Sequence, residues 1–335
     1  MRRGTLWRYS LPFNAGVMLR GRRLTQRAGL LVRLEDGPRS GEGEIAPLPG
    51  FSRETLPQAA DAALGLLRRW VDEAPVPLEA GLRHGEDAMA IPPSAAFGFS
   101  CALAELEERL PSQANYRSAP LCRGDGDDFI RRLAGTPGTN LAKVKVGLTD
   151  EREESRQINR LLAALPALHL RLDANRSWSC SAAAAFAQGL DTSLRGRIDF
   201  IEEPCATSAE SLAFARDTGI AIAWDETARE AGFYPRPQPG VAALIIKPTL
   251  TGSLERCERV VEQARQAGLT AVISSAIESS LGLTQLARLA YALTPGVLPG
   301  LDTLSTLGAQ LRRPWPGSPL PMQSPAELRV IAQVT

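Results

Sequence analysis

The segment that decides the fold spans residues 141–173 and reads LAKVKVGLTDEREESRQINRLLAALPALHLRLD. It consists of an apolar run ending at Lys145, a stretch with helical character, and a second apolar run ending at Asp173. Short apolar runs joined by a helical crossover are typical of parallel βαβ units. The segment is therefore predicted to form a strand, a helix and the next parallel strand.

The same unit recurs from about residue 117 onwards. Its apolar runs end at polar residues 22 to 29 positions apart, namely Lys145, Asp173, Glu202, Asp225, Lys247, Ser274 and Asp302. Runs such as 242–246 are almost continuously apolar, which indicates parallel strands covered on both faces. With 119–122 as a first strand, eight strands are predicted, and a (β/α) barrel is their most economical closure. The alternative is a doubly wound open sheet, although no GxGxxG motif supports dinucleotide binding there.

The preceding residues, 1–113, have a different pattern and are predicted to form an α+β domain. Its predicted strands and helices lie at 30–34, 43–46, 58–73 and 100–110. A loop rich in proline and polar residues follows position 110, so the barrel is assigned to residues 114–311.

Composition excludes several classes of protein. The 335 residues are 44% hydrophobic and 22% charged, which is globular, and 38 basic against 37 acidic residues produce no field favouring nucleic acid or an anionic membrane. No apolar run approaches the roughly 18 residues of a membrane span, and no signal-peptide core follows the N-terminus. Five scattered cysteines without a CxxC pair fit a reducing compartment, so a cytoplasmic enzyme is predicted.

The lysines are unusually few. Of the 38 basic residues three are lysine and 35 are arginine, and all three lysines, Lys143, Lys145 and Lys247, lie in strand-like runs. Lysine can lose its proton at a depressed pKa, whereas arginine stays charged. These positions therefore indicate a need for a neutral amine or a compact ammonium, the alternative being chance and strand-end exposure.

Three carboxylates end successive predicted strands: Asp173, Glu202 and Asp225. The carboxyl ends of barrel strands meet at one mouth, where active sites lie. Carboxylates without histidine or cysteine suit a hard cation, Mg²⁺ first and Mn²⁺ as an alternative. The competing interpretation pairs each acid with an arginine on the surface.

The lysines complete a site for proton abstraction. Lys143 and Lys145 are two residues apart on a strand and face the same side, so each is expected to lower the pKa of the other. Such a pair can supply a general base near neutral pH. Lys247 approaches from the far side of the barrel as a cation. A base, a cation and a metal together suit proton abstraction next to a carboxylate.

These motifs occur as an ordered set along nearly the whole chain. They are LAKVKVG (141–147), LRLDANRSW (170–178), FIEEPC (200–205), IAWDE (222–226), IKPTLTGS (246–253), ISSAIESSLGLTQ (273–285) and PGLDT (299–303). The set resembles the enolase superfamily and, within it, the o-succinylbenzoate synthase family of menaquinone biosynthesis. The resemblance implies a barrel with an N-terminal capping domain, which the tail 312–335 joins. It also implies a small carboxylate substrate, with monomer and dimer both left open.

The resemblance assigns a role to each lysine. Lys145 is the base that removes the proton alpha to the substrate carboxylate and then returns a proton to the departing hydroxyl. Lys247 stabilises the enolate from the opposite face, and Lys143 tunes Lys145. The implied reaction dehydrates 2-succinyl-6-hydroxy-2,4-cyclohexadiene-1-carboxylate. The alternative is racemisation of N-acylamino acids or epimerisation of dipeptides, which uses the same two lysines.

The resemblance also assigns the remaining site residues. Asp173, Glu202 and Asp225 are the metal ligands, the first glutamate of the EEP motif being chosen by the resemblance alone. Arg171 and Ser274 are placed near the substrate.

Two loops of the capping domain, at 20–27 and 47–52, are expected to exclude water and to contact the distal part of the substrate. The first of them contains Arg20, Arg22, Arg23 and Arg27. These arginines either attract a substrate carboxylate or form a solvated basic turn, and the solvated turn is the preferred hypothesis. Two positions depart from the family pattern, Ala276 in place of a serine and Glu42 in place of an aromatic residue.

Overall fold

The computed structural model describes residues 1–19, 21–78, 91–122, 126–136 and 138–335. The strands are β1 (Arg2–Leu19), β2 (Arg22–Asp36), β3 (Arg39–Ile45), β4 (Leu121–Cys122), β5 (Leu141–Lys145), β6 (His169–Asp173), β7 (Ile198–Glu202), β8 (Ile222–Trp224), β9 (Val241–Ile246), β10 (Thr270–Ile273) and β11 (Arg329–Val334). The helices are α1 (Leu56–Val71), α2 (Pro93–Leu106), α3 (Gly126–Ala134), α4 (Glu151–Ala164), α5 (Cys180–Gly189), α6 (Ser208–Thr218), α7 (Pro248–Thr251), α8 (Leu254–Gln266) and α9 (Ser280–Leu293). In this part of the chain no helix is long and apolar enough to cross a membrane.

The chain divides into two compact units. The first contains residues 1–117, 246–261 and 273–335, and the second contains residues 118–245 and 262–272. The division of the chain at residues 113 and 311 stays a prediction.

The first unit contains an antiparallel sheet with the strand order β11-β1-β2-β3. The predicted strands at 30–34 and 43–46 lie in β2 and β3, and β2 pairs with β1 along most of its length. Strand β1 was missed because Pro12 and Gly16 interrupt its apolar alternation. A register shift between Pro12 and Val17 accommodates them, as bulges do. Only pairing with β2 therefore shows that residues 2–19 are one strand.

Helices α1 and α2 pack on this sheet and bury an apolar core. Thr55 and Gln58 form a capping box that begins α1 close to its predicted start. Helix α2 begins seven residues before its predicted start, since it is apolar on nearly all sides and shows little periodicity. The backbones of α2 and β3 approach so closely that a Cβ atom at Gly43 would collide with the carbonyl oxygen of Gly98.

A buried ionic cluster holds the end of α2 in the first unit. Glu105 accepts two 2.6 Å hydrogen bonds from Arg313 and others from Gln285 and Arg288. Burial alone would raise the pKa of Glu105, but the charge and hydrogen bonds of Arg313 outweigh it and hold that pKa below its ordinary value. The folded protein therefore stabilises the charged form of Glu105.

Glu105→Gln is expected to destabilise the protein by about 3 kcal/mol at pH 7, as does removal of one partner of a buried ion pair. Because the folded pKa is lowered, this stability is complete above the unfolded pKa and is lost as the pH falls through the folded pKa. Urea unfolding of both proteins from pH 7 to pH 3 should show the difference shrinking towards acid. Glu107→Gln is the control, since Glu107 forms an exposed pair with Arg109 and should cost below about 1 kcal/mol. A difference that stays constant with pH would contradict the account.

The parallel sheet has the strand order β10-β9-β8-β7-β6-β5-β4. The predicted first strand at 119–122 is observed as the short β4. The predicted eighth strand, ending at Asp302, is wrong as a strand: Ser274 and Gly300 form an isolated parallel bridge instead. Pro299 has no N–H group for a ladder, which is the physical reason that pairing stops after one bridge.

Candidate active site

The register of the parallel sheet brings three predicted site residues into one row. Lys145, Asp173 and Glu202 are the last residues of β5, β6 and β7, and they are paired directly across the three strands. Residues opposite each other in neighbouring strands point to the same face. Asp225 directly follows β8, the next strand of the sheet. The second unit therefore gathers a lysine and three carboxylates at the carboxyl ends of its strands.

Lys143 lies two residues before Lys145 on the same face of β5, and it contacts two of the carboxylates in the row. Its Nζ atom is 2.9 Å from Asp173 and 2.7 Å from Glu202. Burial alone would lower the pKa of Lys143, but the two carboxylates outweigh burial and raise it. The expectation that the pKa of Lys143 is lowered is thus wrong, because the structure places its ammonium between two carboxylates.

The three carboxylates are almost completely withdrawn from solvent. Asp173, Glu202 and Asp225 are exposed by 4%, 2% and 1%. Burial raises the pKa of Glu202, Lys143 opposes that effect, and the neighbouring charges of Asp173 and Asp225 raise it further. Among the residues that the structure describes, no group of three or more His, Cys, Asp and Glu side chains is arranged as a metal cluster. The ammonium of Lys143 lies between two of the acids instead.

Lys145 differs from Lys143 in its surroundings. Its side chain is 42% exposed, 4.0 Å from Asp173, and its Nζ atom donates a 2.7 Å hydrogen bond to Oδ1 of Asn175. Asn175 has a left-handed backbone (φ 46°), which asparagine tolerates better than most residues, and its N–H donates to Asp173. Lys145 is therefore a lysine at the solvent side of the row, oriented by an amide oxygen.

Arg171 lies on the same face of β6 as Asp173, one rung behind it. It is 6% exposed, and its guanidinium carbon is 5.4 Å from the ring centroid of Phe200. Burial lowers the pKa of Arg171. Its planar cation is thus held inside the second unit among the predicted site residues, where it suits an anionic ligand.

A network that sequence reasoning missed holds the loops after β6, β7 and β8. Glu203, fully buried with φ 43°, accepts hydrogen bonds from the N–H groups of Asp225 and Thr227. Arg176 donates to Glu203 and, at 2.6 Å, to Glu230. A signal was present in the doubled glutamate of the EEP motif, but spacing does not distinguish which glutamate faces which partner. Glu203 fixes the backbone that carries Asp225.

Two predicted site residues belong to the first unit. Lys247 directly follows β9, and its Nζ atom is 5.9 Å from the ring centroid of Phe51, which lies in the predicted capping loop 47–52. Ser274 directly follows β10, is 6% exposed, and donates a 3.2 Å hydrogen bond to the carbonyl oxygen of Gly300. Both thus follow strands of the parallel sheet, as their sequence positions predicted.

The basic segment 20–27 differs from the prediction. Arg27 is 1% exposed and donates to the carbonyl oxygens of Ala46 and Pro47, so it is neither a solvated residue nor one that faces a substrate. Arg22 and Arg23 are exposed, and Arg20 lies outside the described residues. The preferred hypothesis, a solvated basic turn, is therefore wrong for Arg27, whose burial no local pattern signalled.

The two departures from the family pattern are both buried. Glu42 forms an ion pair with Arg312 of the C-terminal tail, in the first unit. Ala276 is 1% exposed, and its N–H donates to Glu278. Glu42 therefore holds the C-terminal tail through Arg312 and is not part of an exposed loop.

Two family models match successive parts of this chain. The model described as MenC, N-terminal domain, matches residues 1–106, and the model described as Enolase C-terminal domain-like matches residues 128–310. Together with the parallel sheet and its row of polar strand ends, they define a barrel protein of the enolase superfamily. The predicted fold class is confirmed.

The relatives narrow this class to one family. The chain is 57% identical to the o-succinylbenzoate synthases of Yersinia pseudotuberculosis (331 residues) and Yersinia enterocolitica (332 residues), with 99% of each chain covered. The chain belongs to the o-succinylbenzoate synthase family. The predicted family is thus confirmed, and these relatives favour a synthase over the racemase or epimerase alternative.

Solved structures agree with this placement. The o-succinylbenzoate synthase of Thermosynechococcus elongatus BP-1, complexed with Mg in its active site, is similar with a TM-score of 0.70 and 27% identity, covering 89% of this chain and 92% of that one. A dipeptide epimerase from Methylococcus capsulatus has a TM-score of 0.71 at 20% identity, covering 92% and 93% of the two chains. The second likeness concerns the fold alone.

Proposed function

We propose that this protein dehydrates 2-succinyl-6-hydroxy-2,4-cyclohexadiene-1-carboxylate to o-succinylbenzoate and water. The observation that carries the proposal is the in-register row of Lys145, Asp173 and Glu202 at adjacent strand ends. This row places a candidate base beside carboxylates suited to a cation. The 57% identity to o-succinylbenzoate synthases supports this substrate over others of the superfamily.

Lys145 is proposed to act as the base. The side chain of Lys145 is 42% exposed, so a ligand can reach its amine. The Nζ atom donates one 2.7 Å hydrogen bond to Oδ1 of Asn175, which orients it. In the neutral form, its lone pair takes the ring proton alpha to the substrate carboxylate. The resulting ammonium then protonates the departing hydroxyl, so that one proton and one hydroxide leave as water. The ring becomes aromatic, which makes the overall reaction strongly favourable.

Asp173, Glu202 and Asp225 are proposed to hold a divalent cation, with Mg²⁺ preferred and Mn²⁺ as an alternative. The donor set fits, because buried carboxylates without histidine or cysteine select hard cations. Asp173, Glu202 and Asp225 are all buried negative groups, so a cation among them would offset their mutual repulsion. The similar Thermosynechococcus enzyme has Mg in its active site. Such a cation supplies electrostatic stabilisation to the negative charge that develops on the substrate carboxylate.

Lys247 is proposed to be the second cation for the enolate, and its ammonium need not exchange a proton with the substrate. Arg171 and Ser274 are proposed to contact the substrate, Arg171 through its buried guanidinium and Ser274 through its hydroxyl. Lys143 is proposed to tune Lys145 through their common neighbour Asp173.

We place the reaction in the cytoplasm, since all five cysteines are free thiols.

Purified protein with Mg²⁺ is expected to remove the ultraviolet absorbance of the cyclohexadiene substrate, and chelation of the metal is expected to abolish that loss. The control is Lys145→Ala, purified and assayed identically. Unchanged absorbance with the wild-type protein would overturn the proposed dehydration. Incubating the same preparation with N-succinyl amino acids and dipeptides in D₂O would then test the alternative, since racemisation or epimerisation exchanges the alpha proton.

A further inference from the structure

A buried glutamate in the first unit has no part in the proposed reaction. Glu278 is 1% exposed and follows β10 by five residues. Its Oε1 atom accepts a 2.6 Å hydrogen bond from the hydroxyl of Thr249, and its Oε2 atom accepts 2.7 Å hydrogen bonds from the hydroxyl of Ser275 and the N–H of Ala276. One carboxylate thus joins the loop after β9 to the loop after β10.

Thr249 connects this carboxylate to Lys247. Helix α7 begins directly after Lys247, whose carbonyl oxygen accepts hydrogen bonds from the N–H groups of Leu250 and Thr251 at 2.8 and 2.9 Å. Thr249 is the second residue of that single helical turn, so its hydroxyl anchors the turn to Glu278. The backbone of Lys247 is therefore fixed on both sides, by β9 and by the anchored turn.

The other end of the network is strained. Ile277 has φ 60°, a left-handed conformation that is a genuine outlier for a β-branched residue. Such strain persists where the surroundings determine the conformation, and it clusters at functional sites. Here Arg27 donates a 2.8 Å hydrogen bond to the carbonyl oxygen of Ile277, while the N–H of Ile277 donates to the hydroxyl of Ser275.

Arg27 also closes the network around Lys247. It holds the carbonyl oxygens of Ala46 and Pro47, where the chain enters the loop that contains Phe51. The ring of Phe51 lies beside Lys247, and Phe51 packs with Leu48, Leu250, Ala276 and Ile277 in one apolar cluster. The network therefore runs from Lys247 along its helical turn to Thr249 and Glu278, along the chain to Ile277, and through Arg27 to the backbone at 46–47. From there the loop leads to Phe51, whose ring lies beside Lys247.

We propose that Glu278, braced by Arg27, is a positioning residue that places the Lys247 ammonium through Thr249. This inference rests on the proposed function, because it concerns the cation assigned to Lys247. Glu278 itself takes no proton from the substrate, and Arg27 binds none of it. Their common effect is on the rate of the reaction rather than on metal affinity.

Thr249→Val is the sharpest test, since valine keeps the shape of threonine and removes the hydroxyl that donates to Oε1 of Glu278. A misplacement of about 1 Å at a catalytic group can cost on the order of 100-fold in rate, so kcat is expected to fall by about 10- to 100-fold. KM and the Mg²⁺ dissociation constant should each stay within threefold. The matched control is Thr284→Val, which removes another buried threonine hydroxyl, one that donates to Leu281 within α9. It should lower the melting temperature comparably and leave kcat within about twofold.

A double-mutant cycle separates positioning from general weakening of the fold. If Thr249 acts through Lys247, then Thr249→Val should have no further effect on kcat in a Lys247→Ala background. The inference would be overturned if Thr249→Val lowered kcat in the Lys247→Ala protein by the same factor as in the wild-type protein. Equal kcat values for Thr249→Val and Thr284→Val would also overturn it. Glu278→Gln should retain most activity and Glu278→Ala should not, since the amide oxygen of glutamine can accept from Ser275 and Ala276 while its NH2 group donates to the hydroxyl oxygen of Thr249. Loss with glutamine equal to that with alanine would also overturn it. A wild-type protein inactive on the diene would refute the proposed function instead.

Discussion

Replacing Lys145 with arginine is expected to lower kcat/KM for the dehydration by about 10⁴-fold, the upper end of what general acid–base catalysis contributes. Arginine keeps the positive charge and can keep a hydrogen bond to Asn175, but its guanidinium does not lose a proton at working pH. The variant thus removes the group that takes the proton and keeps a hydrogen-bond donor at this position. Lys145→Ala should be about equally inactive.

The matched comparison is the same substitution at the other proposed catalytic lysine. Lys247 is assigned a charge rather than a proton transfer, so Lys247→Arg should retain activity within about 10-fold of wild type. Lys247→Ala, by contrast, should lose about 10²- to 10³-fold, as removal of one electrostatic partner of a developing oxyanion does. Steady-state rates for the four variants, measured on the diene, test both roles at once. Substantial activity in Lys145→Arg would refute the base assignment, and equal losses at Lys247 would refute the cation assignment.

Lys143→Met is expected to destabilise the protein by about 3 to 5 kcal/mol when metal is absent, because it leaves two buried carboxylates without their shared ammonium. Divalent metal should restore much of this stability, since a cation bound to Asp173 and Glu202 neutralises the same charge. The free energy of unfolding should therefore rise more steeply with Mg²⁺ in the variant than in the wild-type protein. Binding to the folded state alone raises stability with ligand concentration in this manner.

Urea unfolding with chelator and with a series of Mg²⁺ concentrations measures this effect. Lys145→Met is the control, since Lys145 is 42% exposed and 4.0 Å from Asp173, and its loss should cost below about 1 kcal/mol. A Lys143→Met protein as stable as wild type in chelator would show that the ammonium does not offset the buried charge. An equal response to Mg²⁺ in both proteins would contradict the shared use of the two carboxylates.

The candidate site was predictable to the extent that its residues end strands. Lys145, Asp173 and Glu202 each close an apolar run, and the structure pairs them in one row. What each lysine contacts was not predictable. Lys143 and Lys145 are two positions apart, yet their surroundings differ. Lys143 lies between two carboxylates, which raise its pKa, whereas Lys145 is half exposed beside Asn175.

Residues that affect the candidate site only by contacting other residues were not marked by any pattern in the sequence. Arg27 stands in a basic segment that resembles a solvated turn, but it is buried against four carbonyl oxygens from two distant parts of the chain. Glu278 lies in the motif at 273–285, where no spacing rule marks it as a link to Thr249. The left-handed backbone of Ile277 was likewise invisible, because isoleucine disfavours that conformation and only surrounding contacts hold it there.

By itself, the sequence determined the order of the βα units and the polar residue that ends each one. These features are local, since an apolar run and its crossover helix lie within about 30 consecutive residues. Strand pairing decided the rest. The register aligned Lys145 with Asp173 and Glu202, Pro299 limited the predicted eighth strand to one bridge, and burial decided which charges were paired. Register and burial depend on contacts between residues far apart in the chain, so only the tertiary structure determines them.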